Sequence, residues 1–310
     1  MRSPEATEEP KNGILINGEN FTLVLERERG VGLYANTDRS KYLRIGTSAM
    51  VKKELSFHKL LLAENFPVAQ ILDEGEKDGM NYWIEESLGD THLTNQFYED
   101  TKATGEVSER RFDVFLGHVA SMRDAEARIA VAQPYDFSEL ARAVGESGME
   151  EELPEFAERI KLAWEKAKQT VEKLPKTLTH GDFNPTNILD RGVIDFGDHF
   201  EGPLGFDMVN AITSPIWFPK GPGYEFFQKF DFTDEQIEEF FTKCGTSITA
   251  NGNFDLRDSF DALFFLKANW WTVRNHKMPK LQEWRYEIYR EIVETYLAGQ
   301  SLYEYWRNKD

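Results

Sequence analysis

One short segment of the 310-residue chain gathers the residue types that could do chemistry at a useful spacing. It runs 178–198 and reads LTHGDFNPTNILDRGVIDFGD. His180-x-Asp182 comes first, then Asn187, then Asp195-Phe196-Gly197. Phosphoryl transfer asks little covalent help of a protein. It needs one group to orient the attacking hydroxyl and take its proton, and oxygen ligands for magnesium on the phosphates. Asp182 suits the first task. Asn187 and Asp195 suit the second, because magnesium takes hard oxygen donors and few protein ligands. Each part alone says less. Asp-Phe-Gly is a common turn tripeptide, and a lone histidine is more often a satisfied polar residue than a ligand. His180 with Asp182 could also mark a transition metal, but only His199 lies nearby and no ligand-spaced histidine cluster supports it.

Positioning these groups takes a hairpin, two lobes and a linker. Asp190-Arg191-Gly192 predicts a turn between strands at 187–189 and 193–196, which would bring Asn187 and Asp195 together. Upstream, residues 14–86 are mostly strand-like. Strands are expected at 21–25, 32–36, 42–45, 68–72 and 81–86, with turn chemistry at 28–30 and 37–40 and a glycine turn holding Gly75 and Gly79. A helix near 50–64 follows the third strand, with Val51, Leu55, His58 and Leu61 or Leu62 towards one face. After Leu88-Gly89 the character turns helical. Phe112, Phe115, Val119 and Met122 mark one helix, and Pro154 opens another at a favoured first-turn position. Thr233 with Gln236 forms a capping-box pattern ahead of Ile237, Phe240, Phe241 and Cys244. Aromatic-rich helices are expected near 259–273 and 281–296. The expected fold class is α+β: a small antiparallel sheet lobe with one helix at 13–87, and a larger mainly helical lobe at 88–310. A ligand site between two such lobes is a common arrangement.

HGDFNPTNIL followed by VIDFGD resembles the aminoglycoside phosphotransferase and choline kinase-like group, which shares the protein kinase fold. The layout is similar over about residues 13–300, most sharply over 178–207. The resemblance implies ATP and magnesium as cofactors, Asp182 as catalytic base, His180 as a brace of its loop, and Asn187 and Asp195 as the metal ligands. It implies a phosphate-covering segment at 26–32 with Gly30 and Gly32, where a plain hairpin turn is the ordinary alternative. Arg44 stands where protein kinases carry a phosphate-binding lysine, and Glu54 would be its ion-pair partner; a rigid guanidinium fork here replaces a point charge. Backbone groups of Glu85 and Ser87 would bond adenine. Asp207, in PLGFDMVNA, would start a helix and brace the catalytic loop, and is otherwise a helix cap.

The acceptor reads as a small hydroxyl compound, not a protein. Gly181 follows His180 where protein kinases usually have arginine, only eleven residues separate Asp195 from Asp207, and no Ala-Pro-Glu follows. Trp217, Trp270, Trp271, Trp284, Tyr286 and Tyr289 could box a quaternary ammonium such as choline, although aromatics at helical spacing are more often core. Asp198, Glu201, Asp258, Asp261 and Glu283 could hold amines. An aminoglycoside-like or amino-sugar acceptor is the first expectation, with choline, ethanolamine or another sugar next, and Asp198, Glu201, Trp270 and Trp271 as candidate substrate residues. Two other classes compete: a nucleotide-binding module without useful catalysis, and a metal-dependent hydrolase built on His180, Asp182 and Asp195.

Composition excludes other partners. The net charge of −18 argues against nucleic acid, suits a cationic acceptor, and serves solubility in any case. No stretch reads as a signal peptide or a membrane span, so a cytoplasmic enzyme is the default expectation. The single cysteine, Cys244, forms no intrachain disulfide and falls on an apolar helical stripe. No heptad pattern indicates an oligomeric state.

Overall fold

A computed structural model describes residues 13–26, 31–219, 229–249, 252–274 and 278–309. They fall into two compact units: those up to Asp90 with Arg191–Val193, and Thr91–Asp190 with those from Ile194 onward.

The first unit is built on a six-stranded antiparallel sheet in the order β1-β2-β3-β4-β6-β5. The strands are β1 (Gly13–Ile16), β2 (Glu19–Glu26), β3 (Val31–Asn36), β4 (Lys41–Gly46), β5 (Ile71–Lys77) and β6 (Met80–Glu86), with helix α1 (Ser48–Ala63) between β4 and β5. Strand alternation sends Ile16, Phe21, Leu43, Ile45, Tyr82 and Ile84 to one apolar face. Val31 and Trp83 emerge on the other, where Val51 and Leu55 of α1 cover them. Asn17-Gly18 and Asp78-Gly79 both have positive φ at both positions, the tight-hairpin geometry that such pairs favour. The sheet therefore has one strand more than expected. β1 joins through the Asn17-Gly18 turn, so the helix follows the fourth strand, not the third.

The second unit holds helices α2 (Leu93–Thr104), α3 (Glu109–Ile129), α4 (Phe137–Val144), α5 (Glu146–Glu152) and α6 (Ala157–Val171), then strand β7 (Lys176–Thr179) and the two-residue strand β8 (Ile188–Leu189). After β9 (Gly192–Val193), which belongs to the first unit, come β10 (Phe200–Pro203), α7 (Phe206–Thr213), α8 (Asp234–Cys244), β11 (Thr246–Thr249), β12 (Gly252–Asp255), α9 (Leu256–Val273), α10 (Pro279–Leu297) and α11 (Leu302–Arg307). Helix α9 is apolar nearly all round, as a helix packed on every side must be, and α6, α7 and α10 lie against it. The capping box at α8 forms as expected: Gln236 N–H donates to Thr233 Oγ1 at 3.2 Å, and Thr233 N–H to Gln236 Oε1 at 3.1 Å. Cys244 is buried, and burial pushes its thiol up to about 11.

β7 and β10 pair antiparallel, Thr179 opposite Phe200, so residues 180–199 form one loop closed at its base. Elsewhere in the same unit, Phe97, Phe112, Phe115, Phe232 and Phe240 interlock with ring centroids 5.3–6.2 Å apart. Phe115 has no exposed surface. Phe115→Ala should therefore destabilise the protein by about 3–5 kcal/mol. Denaturant unfolding of the two proteins measures it, and a loss below about 1 kcal/mol would mean that the cluster closes around the gap.

Candidate active site

The loop 180–187 is shaped by one buried carboxylate. Asp207, at the start of α7, accepts the main-chain N–H groups of His180 and, at 3.0 Å, of Gly181. A charge without exposed surface needs such donors. Gly181 turns the chain at φ +82°, and a side chain there would bring Cβ within 2.2 Å of the Asp198 carbonyl oxygen. Only glycine fits on both counts. The His180 ring donates from Nε2 to the Ile194 carbonyl at 2.8 Å and accepts the Asp182 N–H on Nδ1 at 3.2 Å, so its hydrogen sits on Nε2. Its face lies 4.3 Å from the Phe196 ring.

These contacts aim Asp182. Its carboxylate accepts from Asn184 Nδ2 at 2.7 Å and from Asn187 Nδ2 at 3.1 Å, and Asn187 Nδ2 also reaches its main-chain oxygen at 2.8 Å. Burial pushes the Asp182 carboxyl up, with Lys267 acting against it. Asn187 closes a 3-10 turn, Pro185–Asn187, and does not open a strand as expected. Because its amide nitrogen is spent on Asp182, its side-chain oxygen is the atom left for a cation. Asp195 stands in the left-handed region at φ 63° and leads into a second 3-10 turn, Phe196–Asp198, where the sequence suggested a strand end. Among the described residues no group of three or more histidine, cysteine, aspartate or glutamate side chains could hold a metal. One amide and one carboxylate completed by phosphate oxygens is the kind of sparse oxygen set that magnesium accepts.

Sequence reasoning missed two fully buried ionisable side chains here. Glu126 of α3 has no exposed surface, and neither carboxyl oxygen meets a donor. Burial, then the Asp207 carboxylate beside it, drives its affinity for a proton well up. It is therefore the acid form that sits there, able to donate to Asp207. Lys267 of α9 is equally enclosed; its Nζ donates to the Gly181 carbonyl and lies 3.3 Å from the Trp270 ring centroid. Burial pushes this lysine down to about 7, against the pull of Asp182 and Asp207.

Several expected partners are otherwise engaged. Trp270 carries Lys267 against its ring and the Arg274 guanidinium at 4.1 Å. Trp271 stacks on Trp217 and donates from Nε1 to Asn210 Oδ1 at 2.9 Å. Asp198 pairs with Arg274, and Glu201 with Lys176 at 2.9 Å. All four candidate substrate residues thus serve the protein's own contacts.

In the first unit, Arg44 meets Glu85 at 2.9 Å and not the expected Glu54. The Glu85 side chain is buried and also accepts from Trp83 Nε1 at 3.0 Å. Burial alone would raise this carboxyl, but Arg44, His58 and Trp83 together outweigh it and hold it low. The main chain expected to bond adenine is already occupied. Ser87 N–H donates to the Ser40 carbonyl at 2.8 Å, its carbonyl accepts from Arg191, and Glu85 lies in β6 between β4 and β5. Gly32 is a strand residue paired with Glu26 and Ile45, and its missing side chain makes room for the Tyr34 ring. Gly30 lies outside the described residues. Among the described residues no helix is long and apolar enough to cross a membrane.

A model of the phosphotransferase enzyme family matches residues 35–240. The chain is similar in structure to an ethanolamine kinase of Plasmodium vivax (TM-score 0.56, 12% identity, covering 90% of this chain and 86% of that one). It is similar also to a choline/ethanolamine kinase family protein of Mesorhizobium loti (TM-score 0.55, 12%, 89% and 88%). A third likeness is a thermostable mutant of aminoglycoside phosphotransferase APH(4)-Ia in complex with AMP-PNP and hygromycin B (TM-score 0.51, 15%, 89% and 93%). At these identities the likeness is one of fold: a protein kinase-like sheet lobe and helical lobe. No curated protein matches the chain in sequence.

The Arg44–Glu85 pair carries a pH signature. With its carboxyl held low, Glu85 contributes stability that is present above the unfolded-state value and lost as pH falls through the folded one. Arg44→Met removes the guanidinium, leaves a buried charge and should cost about 3–5 kcal/mol near neutrality. Burial then favours the protonated acid, so the deficit against wild type should shrink as pH drops from about 8 to about 5. Unfolding at both pH values tests this; a deficit that stays constant would place the carboxylate's stabilisation elsewhere.

Proposed function

The chain belongs to the phosphotransferase enzyme family, and from that premise we propose that it is an ATP-dependent kinase of a small hydroxyl compound. The observation that carries this reading is the fixing of Asp182 by Asn184 and Asn187 in a loop held by Asp207. Asp182 takes the proton from the acceptor hydroxyl as its oxygen bonds to the γ-phosphorus. The bond from that phosphorus to the β-bridging oxygen breaks, and ADP leaves with the electron pair. Burial raises the Asp182 carboxyl, which makes it a better base than an exposed aspartate. The Asn187 side-chain oxygen and Asp195 would hold magnesium, which neutralises phosphate charge when bound. On the nucleotide side, Arg44 braced by Glu85 supplies the cation. The AMP-PNP held by the similar aminoglycoside phosphotransferase is in keeping with a nucleotide donor.

For the acceptor we favour an amine-bearing sugar or aminoglycoside-like compound over choline or ethanolamine. A net charge of −18 suits a cation. A choline-type box would need open aromatic faces, and Trp270 already carries Lys267 and Arg274.

The test is ADP release with magnesium and ATP across aminoglycosides, amino sugars, amino alcohols and plain sugars, with Asp182→Asn as the blank. Acceptor-dependent release should fall about 10²- to 10⁴-fold in the blank. Near wild-type turnover in Asp182→Asn would remove the base assignment. A nucleotide-dependent rise in melting temperature with no transfer to any acceptor would favour a binding module. Phosphate release without ATP would favour a hydrolase.

A further inference from the structure

Lys267 is costly where it sits. It has no exposed surface and lies in the apolar stretch ALFFLKANWW of α9, where a leucine or methionine would pack without desolvating a charge. Its Nζ donates to the carbonyl of Gly181, and the Trp270 ring centroid backs it at 3.3 Å. That carbonyl belongs to the peptide joining Gly181 to Asp182. A peptide is planar, so fixing both of its edges fixes the next α-carbon. One edge is the Gly181 oxygen on Lys267; the other is the Asp182 N–H on His180 Nδ1. The preceding peptide is held by Asp207 through the Gly181 N–H, and the Asp198 carbonyl closes the remaining space beside the Gly181 α-carbon.

Resting on the kinase reading above, we propose that Lys267 is a positioning residue for phosphoryl transfer, holding the Gly181–Asp182 peptide so that the Asp182 carboxylate stays in its reactive place. Three aspartates face the ammonium: Asp182 from the loop, Asp207 from α7 and Asp198 from the turn at 196–198. Arg274, just past the end of its own helix, faces it as a like charge. The ammonium thus acts as a tie between α9 and the loop.

Lys267→Met keeps the packing on Trp270 and removes the donor; Lys267→Arg restores a cation and several donors. Two readouts separate the tie from the activity. Hydrogen exchange of the peptide 178–187 needs no substrate: it should quicken in Lys267→Met with the global melting temperature little changed, and slow again in Lys267→Arg. With an acceptor from the panel, kcat should fall about 10²-fold in Lys267→Met, with KM for ATP and acceptor within about threefold, as expected for a misplaced group. Unchanged exchange in Lys267→Met would overturn the tie. Faster exchange with unchanged kcat, or a loss carried by KM, would overturn its part in transfer. If wild type transfers phosphate to nothing, the kinase reading fails on its own and the exchange data still decide the tie. If Lys267→Met does not fold, Lys267→Gln gives the same comparison with a neutral donor, and exchange and kcat matching wild type would overturn the need for a cation.

Discussion

The grip of Asp207 on two successive amide hydrogens is the constraint from which the site follows. A buried carboxylate must find donors, and here the His180 and Gly181 amides provide them. Both amides can point to one side chain only if the chain turns between them, which puts Gly181 in the left-handed region. That turn carries Asp182 out towards Asn184 and Asn187 and brings the His180 ring back under Phe196 and the Ile194 carbonyl. The β7–β10 pairing limits how far the rest of the loop can wander. The geometry of the candidate site is thus a consequence of satisfying one buried carboxylate.

The same electrostatic problem is solved differently at three acids. Asp207 is answered by main-chain donors. Glu126, beside it and without a donor, is answered by a proton, since two adjacent buried carboxylates cannot both stay charged. Glu85 in the first unit is answered by a cation, with the indole N–H of Trp83 as a second donor. The distinction has a functional side. The Asp207 oxygens stay committed to the His180 and Gly181 amides, which the loop needs. An ionised Glu85 keeps Arg44 in one orientation, which a flexible surface partner would not.

Residues close in sequence were legible, and partners set by register were not. In the loop 178–198 Asp182 and Asn187 were marked out by their spacing and do bond to one another five residues apart, while Asn184, which also holds Asp182, was not singled out. The Thr233–Gln236 box was equally local. Choosing Glu54 for Arg44 failed because the true partner depends on strand pairing. Arg44 stands opposite Trp83, and Glu85 lies two residues along β6 on the same face, a diagonal neighbour that only the register reveals. β1 went unseen because a four-residue strand depends on its Asn17-Gly18 turn more than on its own residues. Lys267 did leave a signal, a lone charge inside an otherwise apolar helical stretch. The aromatic residues around it drew the reading towards a ligand box instead.

That exchange of roles on α9 bears on recognition. Lys267, Trp270 and Arg274 are spaced three and four residues apart and so lie along one helix face. Two of the rings that might have welcomed a substrate ammonium carry protein cations: Trp270 is flanked by Lys267 and Arg274, and Arg285 sits 5.0 Å from the Trp271 ring centroid. An aromatic ring attracts a cation through its face, and a face already covered has little left to offer. The protein's cations also neutralise the nearest acids, with Arg274 on Asp198. For a cationic acceptor, the remaining electrostatic attraction would come from other carboxylates. For such an acceptor, affinity would be set by many weak, salt-sensitive contacts and not by one cage, as suits a hydrated polyamine better than a quaternary ammonium.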